Sequence, residues 1–444
     1  MKKEIKKLAS MAVILLLFIG CSNDDNSTGN TDQSLKITSL SPDNGGKGDV
    51  IKIIGNGFGT DETLVKVFFN DKEALVSNLT NTEIEVAIPP KAFTGPVKIT
   101  VNGEELEGPE FAYNITSTFV TTVAGSGVPG DEDAQNPLQA NFKAPYDITY
   151  GLVNQNKHFY LIDLANHKIK RIGTAGAVTT IGGSTMGYMN GQYNQAKFYE
   201  PRNIALVQEN GTGVLYISDT KNHVIRKLTG GEVTTYAGNG TAGFADGNAT
   251  TAQFNEPQGL TLDDKGNLYV CDGENHKIRK ISPSGEVTTV AGSTKGFFDG
   301  VALSAQFNFP MGIVIDSEEN LFVADGFNNR VRKITPNGVV STFAGSDQGD
   351  QDGIGNQAKF YSPFAIAIDK WDHLYVSDID NHKIKKITPA GHVTTLAGST
   401  EGDSNGDGLL EAKFAFPRGL CVDELGDIYV ADIVNNKIKK IVQE

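Results

Sequence analysis

The sequence is poor in the residues that mark several common architectures. It has three cysteines, five methionines and one tryptophan among 444 residues. Three cysteines make no disulfide framework, so a small stapled scaffold is excluded. A membrane-crossing helix needs roughly 20 apolar residues. The candidate stretch, Leu8 to Ile19, is shorter and is interrupted by Ser10. Positive charge is in deficit, with 39 Lys and Arg against 53 Asp and Glu and a formal net charge of −14. That balance repels phosphate backbones, which argues against a nucleic-acid partner and against unaided docking on anionic lipid. Within the repeats described below, no segment keeps a 3.6-residue apolar period for the length of a helix, which leaves an all-β chain.

The N-terminus carries an address. Lys2, Lys3, Lys6 and Lys7 precede the short apolar run, and a small residue follows it. This is the pattern of a secretory signal over residues 1–20. Phe18-Ile19-Gly20-Cys21 resembles the lipobox of bacterial lipoproteins, with Phe18 where that family usually has leucine. The resemblance implies lipidation of Cys21, a membrane attachment through that lipid, and Cys21 as the mature N-terminus. Ser22-Asn23-Asp24-Asp25 resembles the acidic export tag of lipoproteins in one group of Gram-negative bacteria. It implies an outer-membrane protein displayed at the cell surface, the periplasmic face being the alternative. Residues 21–34 are polar and small and read as a flexible tether.

Self-similarity then fixes the fold. Val-Thr-Thr or a near copy begins at Val120, Val178, Val233, Val287, Val340 and Val393, at intervals of 58, 55, 54, 53 and 53 residues. Each unit continues with an Ala-x-Phe, as in Ala252-Gln253-Phe254, and a proline at Pro145, Pro201, Pro257, Pro310, Pro363 or Pro417. A short alternating run follows, then a Leu-Tyr-Val-x-Asp variant ending at Asp163, Asp219, Asp272, Asp325, Asp378 or Asp432. An Asn-His or Asn-Asn turn leads into Lys-Ile-Arg-Lys-Ile or its relatives. Four period-2 segments per unit, bounded by Gly, Pro, Asn and Asp, predict a four-stranded propeller blade. The chain enters the ring on an outer strand and leaves it after Lys437-Ile438-Lys439-Lys440-Ile441. The first strand is therefore expected to complete the sixth blade and close the ring. Asn222-His223-Val224 and Asn275-His276-Lys277 resemble the turn that names the NHL repeat, and residues 118–444 resemble that family throughout.

Residues 35–115 hold shorter strand patterns. Leu40-Ser41-Pro42, Gly57-Phe58-Gly59 and runs such as Val65-Lys66-Val67-Phe68-Phe69 resemble the IPT/TIG domain, which implies a small immunoglobulin-like β-sandwich serving as a spacer. The expected fold class is thus all-β: a six-bladed β-propeller of NHL type preceded by that sandwich.

A residue present in every unit serves the unit. The six aspartates, and His167, His223, His276 and His382 after them, are accordingly read as structural. His158, His373 and His392 are placed in loop-side positions, and Cys271 and Cys421 are read as buried thiols. Asp403-x-Asn405-x-Asp407-Gly408 has the opening of a calcium loop, but Phe414 stands where the bidentate glutamate belongs. Asp347, Asp350 and Asp352 make a weaker case.

Function must come from where the units differ. Around each proline the chain is expected to turn into the innermost strand at one mouth of the channel. Tyr146, Tyr199, Glu200, Arg202, Glu256, Gln258, Tyr361, Phe364 and Arg418 meet there as candidate ligand-binding residues. Aromatic faces can stack on sugar rings or apolar ligands, and the polar groups can bond hydroxyls. Phe309 and Phe416 are expected to pack between blades. Asp147 and Asn203 replace the glycine of three other blades and, with Glu200, offer hard oxygen ligands for a divalent cation such as Ca2+. No nucleophile–base order or carboxylate pair is recognisable, so no catalytic residue is assigned.

The leading expectation is a cell-surface lipoprotein that binds a glycan or other small ligand at one mouth of the channel. Its architecture is similar to the accessory glycan-binding proteins of starch-utilisation-type uptake systems. The alternatives are a protein-interaction or adhesion module with a surface protein partner, and a metal-dependent lactonase- or lyase-like enzyme. A monomer is expected, apart from a complex with a transporter.

Overall fold

The computed structural model describes residues 34–444 apart from 116, 154, 210 and 211. The signal, the tether up to residue 33 and Cys21 lie outside the described residues.

In the first unit, strands Lys36–Ser41, Val50–Asn56 and Glu83–Ala87 form one half of a sandwich. Val65–Phe69, Gly95–Val101 and Glu104–Tyr113 form the other. Lys72–Leu79 pairs with both halves and joins them. The period-2 pattern explains the layering: Ile51 and Ile53 point inward to Phe58, Phe69 and Phe111, while Lys52 between them faces out.

The propeller has six sheets around one channel. The innermost strands, blades 1 to 6 in order, are Pro145–Val153, Pro201–Glu209, Pro257–Leu262, Pro310–Ile315, Pro363–Ile368 and Pro417–Val422. Proline opens each of them because a first residue on a free inner edge owes no ladder hydrogen bond. Closure follows the phase of the repeat: Thr118–Ala124 pairs with Lys437–Gln443, with Val120 opposite Ile441. Blades 2 to 6 exceed the four strands expected. A two-residue strand such as Gly247–Asn248, part of the Asp-Gly turn, lies along the outside of each. The Ala-x-Phe phenylalanines Phe142, Phe198, Phe254, Phe307, Phe360 and Phe414 are fully buried, each contributing roughly 1.5–3 kcal/mol of apolar burial.

The repeated polar residues hold the blades. Asp272 accepts from the Asn255 backbone N–H at 2.7 Å, from the Asn275 side-chain amide at 2.8 Å and from Arg279 at 2.7 Å. The residue after the second asparagine sits in left-handed backbone and reaches the next blade. Nδ1 of His167, His223, His276 and His382 accepts the backbone N–H of Glu200, Glu256, Phe309 and Phe416. Asn329 and Asn436 do the same with Oδ1 toward Ser362 and Ala144, the last across the ring closure. The structural reading of these residues is what the structure shows. His158 and His392, expected in loops, lie instead in strands Asn156–Asp163 and His392–Ala397. For His158 the reason is the hairpin of blade 1, whose strands are longer than those of blades 3 to 6. Cys271 and Cys421 are free and buried.

The sandwich is seated against the propeller. The Phe93 ring lies 4.3 Å from Trp371 of blade 5, Lys91 pairs with buried Asp427 of blade 6, and Lys370 pairs with Asp71. Ser117 and Glu444 exchange two backbone hydrogen bonds of 2.9 Å, tying the linker to the C-terminus. These contacts use the ends of inner hairpins, so the sandwich sits under blades 5 and 6 on the face opposite the six prolines.

Candidate functional site

The proline face is built in three rings. Innermost are the residues that follow the prolines: Tyr146, Arg202, Gln258, Met311, Phe364 and Arg418. They do not stand around an open mouth; they fill it. Arg418 lies 4.7 Å from the Tyr146 ring centre and 4.6 Å from that of Phe364, and donates to the Tyr146 hydroxyl at 2.9 Å. Tyr146 and Phe364 meet edge to face at 5.5 Å. Tyr146 and Gln258 are only 4% and 2% exposed. Below this plug the six inner strands enclose a channel cavity of about 290 Å³.

At the next position, glycine is demanded where a neighbouring blade comes close. A Cβ on Gly259 would stand 2.3 Å from the Met311 carbonyl oxygen, and one on Gly312 2.7 Å from that of Phe364. In blades 1 and 2 a side chain bridges the gap instead. Asp147 Oδ2 accepts from Ile204 N at 2.9 Å and from the Asn203 amide at 2.7 Å, and Asn203 Oδ1 accepts from Leu260 N at 2.8 Å. Burial pushes the Asp147 carboxyl up to about 8, against the pull of two backbone amides. An aspartate and an amide whose side-chain oxygens are already committed to backbone donors do not fit a hard-cation site. Among the described residues, no group of three or more His, Cys, Asp or Glu is placed to share a metal ion. The calcium-like loop is also used internally: Asp403 pairs with Lys437 and Lys439, Asn405 accepts from Thr122, and Asp407 accepts from the Leu409 and Leu410 amides. Asp350 and Asp352 pair with Lys385.

The middle ring holds the remaining sequence candidates. Glu200 pairs with Arg202 at 3.1 Å, and Glu256 pairs with Lys221 and lies 3.8 Å from Arg202. These charges form one cluster over blades 2 and 3. Tyr199 stands edge-on to the His167 ring at 6.2 Å, and Tyr361 is exposed. Phe309 and Phe416 pack on Phe327 and His382 respectively.

The outer ring was not singled out from the sequence. Each long loop carries a glycine whose carbonyl accepts from the asparagine amide of the repeat: Gly130, Gly187, Gly243, Gly296, Gly349 and Gly402. The following residue is Tyr188, Phe244 and Phe297 in blades 2, 3 and 4, and Asp350, Asp403 and Asp131 in blades 5, 6 and 1. The three aromatics are 49%, 49% and 45% exposed, and Phe298 and Phe327 are exposed beside them. One side of each ring rests on a cation: Tyr188 on Arg226 at 5.2 Å, Phe244 on Arg279 at 4.9 Å, Phe297 on Arg330 at 4.0 Å. The signal that finds them is the alignment of the loops on that glycine, rather than on the prolines.

Comparison with known proteins agrees with this construction. The IPT/TIG domain family matches residues 35–119, and the NHL repeat family matches residues 254–281 and 414–440. The chain joins an IPT/TIG domain to an NHL-repeat propeller. It is 30% identical over 324 residues to NHL repeat-containing protein 2 of Homo sapiens, covering 63% of this chain and 44% of that relative. It therefore spans less than half the length of that protein. A solved structure of a protein of unknown function from Bacteroides thetaiotaomicron superposes with a TM-score of 0.64 at 21% identity, over 94% of this chain and 100% of that one. An auxiliary nutrient binding protein of the same organism superposes with a TM-score of 0.58 at 20% identity, over 93% and 98%. At these identities the likeness is one of fold, and it extends over both domains of this IPT/TIG–NHL chain.

Proposed function

We propose that this chain is a surface-displayed binding protein that takes a glycan on the proline face of its propeller, accessory to an outer-membrane uptake system and anchored through lipidated Cys21. The observation that carries the reading is the exposed aromatic arc of Tyr188, Phe244 and Phe297. Rings seated over guanidinium groups are restrained platforms, and a sugar ring gains from stacking on such a surface without ordering it first. The charged cluster of Glu200, Arg202 and Glu256, inward of the arc, offers donors and acceptors for hydroxyls. The seat of the IPT/TIG domain under blades 5 and 6 supports the same reading, since it leaves the proline face uncovered by that domain. A neighbour of the same two-domain fold is an auxiliary nutrient binding protein.

The test is a glycan-array screen of soluble protein beginning at Ser34, beside a Tyr188→Ala, Phe244→Ala, Phe297→Ala variant. Binding to a defined polysaccharide that the variant loses by at least about ten-fold is expected. A blank array together with capture of one surface protein by the same face would replace the glycan with a protein partner.

A further inference from the structure

A second cavity, of about 400 Å³, opens between blades 1 and 2 toward the face opposite the prolines. The IPT/TIG contacts lie under blades 5 and 6 and leave it uncovered. Its walls include Tyr160, Arg171, Thr179, Leu215 and Leu228, with half-exposed Tyr193 at the entrance. Its floor is open at Gly230 and Gly231, where an added Cβ would meet nothing within 4 Å.

The polar groups here are unspent. Arg171 Nε and Thr179 Oγ1 are buried without a hydrogen-bond partner, as is Nδ1 of His158 beside them. Among the described residues, no carboxylate pairs with Arg171, although the repeat cation one position earlier pairs with at least one acid in every blade. His158 shares the environment: burial and the Arg171 charge both hold its ring below the usual histidine range.

Comparison with the sister blades shows what is missing. In blades 3, 4, 5 and 6 Asp263, Asp316, Asp369 and Asp423 stand one residue past the inner strand, each donating its backbone N–H to the carbonyl of Asn267, Asn320, His373 or Asp427 across the hairpin. Where the second strand has tyrosine, its hydroxyl donates to that carboxylate: Tyr269 at 3.2 Å, Tyr375 at 3.1 Å and Tyr429 at 3.3 Å. A lysine stands behind, Lys386 and Lys440 each 5.6 Å from the centre of the tyrosine ring of its own blade. Blade 1 keeps the tyrosine, as Tyr160, and the cation, as Arg171. Pairing of Thr149 with Tyr160 puts Gly151 at the position of the aspartate. A half-buried guanidinium with no carboxylate partner among the described residues is costly to keep, and a carboxylate supplied from outside would recover the loss.

We propose that this cleft binds a small organic carboxylate with an apolar body, the carboxylate being received by Arg171 and the Tyr160 hydroxyl in place of the aspartate its sister blades carry. Leu215, Leu228 and Ile181 form the apolar wall, and Thr179 offers a further donor. Arginine rather than lysine suits the task, because its planar fork grips a carboxylate in two places. The site is separate from the proline face and stands whether or not that face binds a glycan.

The test uses soluble protein from Ser34, which holds both folded domains, with benzoate and hexanoate as probes against benzamide and hexanamide. Isothermal titration should show each acid binding at least about ten-fold tighter than its amide. Arg171→Gln should reduce acid affinity at least about ten-fold and leave the amides unchanged, with a thermal midpoint equal to or above that of the parent. Tyr160→Phe should weaken the acids about three-fold and serves as the second variant should Arg171→Gln misfold. Acids and amides binding alike, no binding by either acid, or full acid affinity in both variants would each overturn the proposal.

Discussion

Two halves of the proline face differ although one repeat built both. Blades 2, 3 and 4 set an aromatic ring after the loop glycine, over Arg226, Arg279 and Arg332 on the third strand. Blades 5, 6 and 1 set an aspartate there, against Lys385, Lys439 and Lys170. The pairing is chemical: a planar guanidinium can be stacked upon, whereas an ammonium is best met by a carboxylate. The inner aspartates and asparagines are the same in both halves, so the framework is common and only its outer cover changes. A consequence is a face divided into an apolar, rigid arc and an acidic, solvated one. The first is suited to a ligand's flat surface, and the second resembles the rest of this acidic chain.

The largest effect should come from breaking the common framework unequally. Among the described residues Arg226 has Asp219 as its one carboxylate partner, both groups fully buried, whereas Lys385 keeps Asp350 and Asp352 beside Asp378. Asp219→Ala should cost roughly 3–5 kcal/mol, the usual result of orphaning a buried charge. Asp378→Ala should cost about 1–3 kcal/mol. Urea unfolding of the two variants measures the difference.

Next in size is acid sensitivity of the histidine latches. Burial holds His167, His223 and His276 below the ordinary value near 6.5. Their Nδ1 atoms accept hydrogen bonds only while the rings are neutral. The folded form therefore binds fewer protons, and the stability is present in full above about pH 6.5 and lost as pH falls through the lowered values. His223→Asn, copying Asn329 and Asn436, should remove about 0.5–1.5 kcal/mol of that loss. Unfolding midpoints between pH 7.5 and 5 show it as a shallower slope.

A loop exchange sharpens the comparison directly. Phe244→Asp with Arg279→Lys rewrites the outer cover of blade 3 in the style of blade 5. A ring over a guanidinium is worth about 0.5–1 kcal/mol, so the melting temperature should move by only a few degrees while ligand binding falls. The smallest expected change is at the domain seat. Phe93→Ala uncovers Trp371, the single tryptophan, and its emission should shift to the red with little change in unfolding midpoint.

Much of this was legible in the sequence. The blade count and the closing strand follow from the phase of Val-Thr-Thr against Lys-Ile-Arg-Lys-Ile, because strand order in a closed ring leaves no freedom. The structural roles of the repeated Asp, Asn and His were legible for the same reason. The mouth of the channel was not. That the side chain after each proline points inward is a matter of local geometry, but whether six of them line a mouth or fill it depends on their summed volume. Tyr146, Arg418 and Phe364 are large enough to meet. The sandwich seat was also hidden, since Phe93 and Trp371 lie in different domains and belong to no period.

The central claim is that ligand recognition belongs to the aromatic half of the proline face. It is tested by titrating one ligand from the array into two matched variants by calorimetry: Tyr188→Ala, Phe244→Ala, Phe297→Ala and Asp131→Ala, Asp350→Ala, Asp403→Ala. Affinity lost by at least about ten-fold in the first and kept within about two-fold in the second is the result expected. Loss in the acidic variant with retention in the aromatic one would contradict the account.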